Sequence, residues 1–410
     1  MPPETETSET KAALKLSPRA GGGAEIGVYV HFPWCLSKCP YCDFVVHAAP
    51  RASIDHSGYA DAVIAELAWR GPDVVERPLG SVFFGGGTPS LWEPRELGRA
   101  LAAIVGAFRA PGGARVEISV ECDPSSLDYD RARALVDVGV ERLSIGVQAL
   151  DEERLRFLGR IHTASEARSA LSDAVRAGVP RVSADLMYAV SGEKHDVVAR
   201  EARELVSLGA THVSAYSLTI EPDTPFGHLA RRGRLPLCDD GAAAAAFFAI
   251  DETLAEAGLE HYEISNYAAP GQRARHNVGY WLGRDYLGLG CGAYGTLTEP
   301  DGWARRYRNQ ITPRSYLGTV KDGPDALTLS AERLDPPTRL RERIMLGLRT
   351  REGIDLEGAA AALGTDPYPG HRRQALAKLE ARGRVVLRGT TVAVPREAWI
   401  WTDDTAAELF

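Results

Sequence analysis

The sequence is short of the features that mark several large protein classes. Basic residues are outnumbered: 47 Lys and Arg against 55 Asp and Glu leave a net charge of −8. No overall basic footprint is therefore available for nucleic acid or an anionic membrane surface. The longest strongly apolar stretch, residues 242–250, is far below the roughly 20 residues that a membrane-spanning helix needs. The first 24 residues are polar, close on three glycines and lack the apolar centre of a secretory signal. They are expected to form a disordered tail. Cysteine is scarce: six in 410 residues, three of them clustered, which does not resemble a secreted disulfide framework. Reduced thiols holding metal in a cytosol fit better. No repeat of 20–50 residues stands out beyond a strand–helix unit.

What is present is an ordinary globular composition, 44% apolar and 25% charged, in a chain long enough for one large domain and a smaller one. Six β-rich runs, residues 26–31, 81–84, 116–120, 143–147, 182–186 and 212–217, alternate with helical patterns at 59–69, 96–108, 131–138, 164–177, 197–208 and 242–257. Six βα units in a row predict an α/β fold with a parallel sheet and right-handed crossovers, an open partial (β/α)6 barrel. Residues 261–295, rich in glycine and aromatics, read as a loop-rich wall rather than regular elements. The expected domains are a barrel over 25–300, a linker over 301–329 and a small C-terminal α+β domain over 330–400. Three helical patterns (339–348, 356–363, 372–382) and a hairpin around Gly389 and Thr390 make that domain winged-helix-like. The acidity of the chain argues against DNA as its partner.

The chemistry concentrates at strand ends. Cys35, Cys39 and Cys42 form a C-x3-C-x2-C run after the first strand. Three thiols on one loop leave the fourth iron of a [4Fe–4S] cube without a protein ligand; a zinc loop with a distant fourth ligand, or free thiols, are the alternatives by spacing. Gly86, Gly87 and Thr88 follow the second strand, Glu121 the third and Gln148 the fourth, and Asp185 ends the fifth. All belong to the carboxyl-terminal rim, where a βα barrel builds its active site.

The motifs YVHFPWCLSKCPYCDF (29–44), FFGGGTPS (83–90), RLSIGVQ (142–148), LGRIH (158–162), DLMY (185–188), YEISNY (262–267) and HNVGYW (276–281) together resemble the radical S-adenosylmethionine (SAM) superfamily. The finer likeness is to its coproporphyrinogen oxidase-like branch of HemW-type haem chaperones. The resemblance implies that Cys35, Cys39 and Cys42 ligate three irons of a [4Fe–4S] cluster and that SAM completes the fourth. It implies SAM contacts from Tyr29, Gly86, Gly87, Thr88, Glu121, Gln148, Arg160 and Asp185, with Arg160 on the methionine carboxylate. It implies haem as cargo, with His276 as the haem-binding residue, and haem-requiring acceptors, respiratory enzymes among them. A cytoplasmic location is implied, with peripheral membrane attachment as its variant; a homodimer is left open.

Two departures bear on activity. The decarboxylases of this group carry a fourth cysteine in a Cys-x-Cys ending, and here Asp43 and Phe44 follow Cys42. The N-terminal tail is also an unsuitable arm for covering an active site. Both favour the chaperone branch over oxygen-independent coproporphyrinogen III oxidase, which is the alternative function, and whether the chain is itself an enzyme stays open. A further departure is Tyr294, where the family often has histidine. The expected outcome for the cysteines is sharp: replacing Cys35, Cys39 or Cys42 by Ala abolishes the cluster, whereas replacing Cys122, Cys238 or Cys291 leaves it. Iron and sulfide content of the six variants checks this.

Overall fold

The computed structural model describes residues 25–109 and 115–410; the tail expected over 1–24 lies outside the described residues. The six expected strands form as β1 (Ile26–Phe32), β2 (Leu79–Gly86), β3 (Glu117–Cys122), β4 (Arg142–Gln148), β5 (Arg181–Tyr188) and β6 (His212–Ser217). Helices α1 (His56–Arg70), α2 (Pro94–Ala107), α3 (Tyr129–Asp137), α4 (Ala164–Arg176), α5 (His195–Ser207) and α6 (Asp240–Glu256) return the chain after each strand. Their starts are set locally. Asp128 accepts from the Arg131 amide, and Thr163 with Glu166 makes a capping box, the device by which short polar side chains satisfy the unpaired first amides of a helix. Strands β1 to β5 are almost wholly buried, and β6 over its first four residues, as a parallel sheet covered by helices requires.

Residues 261–295 are not the loop-rich wall expected of them. They carry β7 (Glu260–Glu263), β8 (Asn266–Ala268), α7 (Arg275–Trp281), β9 (Tyr286–Gly290) and β10 (Tyr294–Thr298). Strand β9 lies parallel to β1, with Gly27 opposite Tyr286 and His31 opposite Gly290, so seven parallel strands stand side by side. Its glycines read as a turn in sequence, yet Leu287 and Leu289 between them are fully buried. The range 301–329 is likewise no linker: β11 (Ala304–Asn309), α8 (Pro313–Thr319) and the start of β12 (Thr328–Leu334) fill it. One sheet of twelve strands results, in the order β12-β11-β10-β9-β1-β2-β3-β4-β5-β6-β8-β7. Its ends do not meet, so the barrel is open.

The C-terminal unit follows β12. It contains α9 (Pro336–Gly347), α10 (Leu356–Ala361) and α11 (Gly370–Ala381), with a three-stranded wing of β13 (Ile354–Asp355), β14 (Val386–Arg388) and β15 (Thr391–Ala393). It does not stop at residue 400: a helix at Thr402–Ala407 follows, and the Leu409 carbonyl accepts from the Arg372 guanidinium at 2.7 Å. The unit covers the β7 end of the sheet, where the Arg351 amide donates to the Tyr262 carbonyl and the Ile264 amide to that of Arg349.

A buried carboxylate ties the late strands to the first helix. Glu66 on α1 is fully buried; it accepts from Arg70 at 2.9 Å, Asn309 at 2.7 Å, the Gly290 amide at 2.7 Å and the Tyr316 hydroxyl at 2.8 Å. Four donors around one carboxylate are what its burial demands. They explain why the 301–329 range packs instead of spanning: Asn309 and Tyr316 are committed to this site. Glu66→Ala leaves a buried arginine without its carboxylate and is expected to destabilise by about 3–5 kcal/mol, measured by denaturant unfolding.

Candidate functional site: the cysteine loop and the rim cavity

The cysteine loop is an extension of the β1–β2 pairing. Past Phe32 and Gly86, which face each other in register, the Gly87 amide donates to the Phe32 carbonyl at 2.7 Å and the Thr88 amide to that of Trp34 at 2.8 Å. A Cβ on Gly87 would stand 2.5 Å from the Trp34 carbonyl oxygen. Gly87 is thus required by the approach of the two loops, a role distinct from the cofactor approach expected of it. Gly86 adopts φ +105°, the left-handed region that glycine tolerates. Thr88 reaches back, its hydroxyl 3.4 Å from the Cys35 sulfur.

Cys35, Cys39 and Cys42 are partly exposed and unbridged. Burial pushes the Cys35 thiol up to about 11 and raises that of Cys42, so these sulfurs are protonated until a metal displaces the proton. Among the described residues no three His, Cys, Asp or Glu side chains converge on a single-ion site. The thiols instead line a cavity of about 370 Å³ with Gly86, Gly87, Thr88, Glu121, Gln148, Arg160 and Asp185. Ten of the twelve expected site residues therefore meet in one place, at the carboxyl ends of the parallel strands.

The electrostatics of the cavity are strongly graded. Arg160 donates to Asp123 at 2.5 Å and to the Gly146 carbonyl at 3.1 Å, and lies 3.5 Å from the Cys39 sulfur. Its Nε is buried without a partner, a donor left for an incoming acceptor. Burial would raise Asp123, but His162, Arg160 and Ser125 overcome it and hold the carboxyl far below the usual range. Glu121 goes the other way: burial, then the neighbouring Asp185 charge, push it up to about 8, against the Gly86 amide that donates to it at 3.0 Å. Burial also raises Asp185, which accepts from Ser144 at 3.1 Å. Gln148 reaches the cavity from a backbone at φ +64°, beside a register shift between β4 and β5; a non-glycine residue in that region marks a constrained functional position. Asp123, Ser144 and Tyr216 also line the cavity and were not singled out in sequence. Asp123 stands two residues beyond Glu121 at the same strand end, which is the signal that points to it.

Tyr29 and His276 lie elsewhere. Both line a second cavity of about 550 Å³ inside the barrel. Asp43, Phe44, Gly86, Glu121, Ser144, Asp185 and Tyr216 border both cavities. His276 is buried at the amino-terminal end of the strands, over Gly27 and Ser81. Its Nδ1 is 2.8 Å from the Ser81 hydroxyl and its Nε2 is 3.0 Å from the Tyr280 hydroxyl, and its ring stacks on Phe83 at 5.0 Å. Burial lowers it to about 4, so the imidazole is neutral. Tyr29 bonds the His31 ring at 3.0 Å.

The shift of Glu121 has a stability consequence. Its folded pKa, about 8, stands above the ordinary 4.5, so between those values the folded state holds a proton that the unfolded chain releases. Stability falls as pH rises through that window. For the protein without cofactors, Glu121→Gln is expected to flatten this fall and raise the melting temperature at pH 8, read from thermal unfolding of both proteins between pH 5 and pH 8.

Comparison with known proteins agrees with this geometry. Residues 29–228 match the radical SAM superfamily and residues 334–401 the HemN C-terminal domain. The chain is 36% identical over 296 residues to the heme chaperone HemW of Haemophilus influenzae, covering 71% of this chain and 76% of that protein. It is 38% identical over 294 residues to the heme chaperone HemW of Escherichia coli, covering 71% and 75%. The solved structure of coproporphyrinogen III oxidase (HemN) from Escherichia coli, a radical SAM enzyme, superposes with a TM-score of 0.77 at 20% identity, over 97% of this chain and 92% of that one; at that identity it speaks for the fold. The superfamily's cofactors are a [4Fe–4S] cluster and SAM, and the residues fit both: three thiols with no fourth cysteine on their loop, and a ring of polar groups around an unpartnered arginine Nε. The chain belongs to the family of HemW heme chaperones, within the radical SAM superfamily.

Proposed function

We propose that the protein binds haem and hands it to haem-requiring proteins, respiratory enzymes among them, working in the cytoplasm or at a membrane surface. Among the described residues no helix is long and apolar enough to cross a membrane. The observation that carries the reading is the convergence of three thiols and the SAM-type polar ring on one cavity, in a chain whose relatives are named for haem. Cys35, Cys39 and Cys42 hold the cluster. Gly86, Gly87, Thr88, Glu121, Gln148, Arg160 and Asp185 hold SAM, and Tyr29 borders the site from below. The bound cluster and SAM supply one-electron chemistry.

The protein's own groups do the rest. Arg160 presents Nε, its one donor without a partner, to a carboxylate, while Asp123 and the Gly146 carbonyl hold Nη2 and Tyr41 meets Nη1; a guanidinium so fixed offers a single charged donor in a set direction. Glu121 keeps its proton at neutral pH and is thereby a donor to ribose oxygens rather than a second anion beside Asp185. His276 is the proposed haem contact. It is neutral, as an iron ligand must be, and Ser81 fixes Nδ1, which leaves Nε2 as the ligating atom once Tyr280 turns away.

His276→Ala is expected to shift or abolish the absorption bands of bound haem and to leave iron–sulfur content unchanged. Haem titration of the cluster-loaded protein, with cluster assay and thermal unfolding on the same preparation, tests it. Unaltered haem spectra together with a lowered melting temperature would make His276 a core residue only.

A further inference from the structure

Strand β11 carries three arginines whose surroundings differ. Arg305 pairs with Asp73 at 3.1 Å and Arg306 with Glu342 at 2.8 Å. Arg308 has no ion pair among the described residues, and its Nε is buried with no hydrogen-bond partner. Its guanidinium lies over the ring of Tyr294, 4.9 Å from the centroid, the residue directly opposite it on β10. Both line the interior cavity that His276 floors. The exposed side chains on that lining are Asp43, Phe44, Tyr216 and Tyr294, and Arg308, against Tyr294, stands at one of the places where the cavity meets solvent. A buried guanidinium donor without an acceptor costs free energy, and a carboxylate, able to take two parallel N–H bonds, is the group that best relieves it.

The rest of the lining says what bears the carboxylate. Tyr29, Phe83, Tyr280 and Tyr286 make an aromatic wall, with Phe83 stacked on His276 and Tyr280 edge-on to Tyr286 at 4.7 Å. Such a wall takes a flat conjugated ligand. Asp43, Glu121 and Asp185 also line the cavity, so an acidic group on the ligand is directed to the arginine and away from these carboxyl groups. We infer that Arg308 anchors a carboxylate side chain of a planar macrocycle seated in the interior cavity: a propionate of haem. This rests on the haem reading and adds to it a second contact at the opposite end of the cavity from His276.

The probes are haem and haem dimethyl ester, whose propionates are uncharged, titrated into cluster-loaded full-length protein by absorption. Arg308→Met is expected to weaken haem by about tenfold or more, the loss of a charged hydrogen-bonded pair, and to leave the ester within about twofold of wild type. Arg308→Lys keeps the charge and is expected to fall between. Cluster content and melting temperature equal to wild type confirm the fold of each variant. Haem affinity unchanged in Arg308→Met, or equal losses for haem and ester, overturns the assignment while the haem function stands. Failure of the wild-type protein to bind haem overturns the functional reading, and the anchor with it.

Discussion

Two backbone hydrogen bonds, from the Gly87 and Thr88 amides to the Phe32 and Trp34 carbonyls, carry the arrangement of this site. They prolong a parallel ladder beyond the point where β1 and β2 stop being strands, and so make the cysteine loop a continuation of the sheet. A loop of this kind has three thiols to hold apart, and side chains from Thr88 and Arg160 reach two of them. Its backbone supplies the order. The consequence reaches Cys35, whose sulfur is met by Thr88, and Gly87, where any Cβ would push the two loops apart.

Around that loop the cavity separates like charges by chemistry instead of distance. Asp123 is anchored by Arg160, Ser125 and His162 and stays ionised; Glu121, in an apolar setting next to Asp185, keeps its proton. Asp123, Glu121 and Asp185, three of the carboxyl groups on this cavity, would otherwise repel each other and attract water. Placing one against a guanidinium and burying another is the same division of labour by which active sites hold an acid and a base at one pH. The division is built by strand ends: Glu121 closes β3, Asp185 lies in β5, and Arg160 comes from the segment after β4.

The repeating part of the fold was legible because each βα unit obeys two local periodicities at once. The late strands were not. Strand β9 alternates glycine with leucine, and glycine is punctuation in a propensity reading; only the neighbouring β1, unseen in a one-dimensional pattern, turns it into a strand. Residues 301–329 looked like a linker because Glu66, the group that recruits Asn309 and Tyr316, is some 240 residues earlier in the chain. In the site, residue identity and position along strands located the cysteines and the polar ring, since strand ends share a rim by construction. Tyr29 and His276 escaped that logic: Tyr29 sits mid-strand, and His276 rides on a helix beyond the sixth unit, so nothing local said that both face inward.

The partition between the two cavities is made of side chains, and a side chain keeps one posture at a time. Glu121, Asp185, Ser144 and Tyr216 border both compartments. An occupant above that recruits the Glu121 proton withdraws it from an occupant below, and one that draws Asp185 downward empties a place above. Whatever free energy of coupling results is the same seen from either compartment, because linkage is reciprocal. Were each compartment to hold a ligand, the two occupancies would meet in these same few side chains, with the wall itself between them.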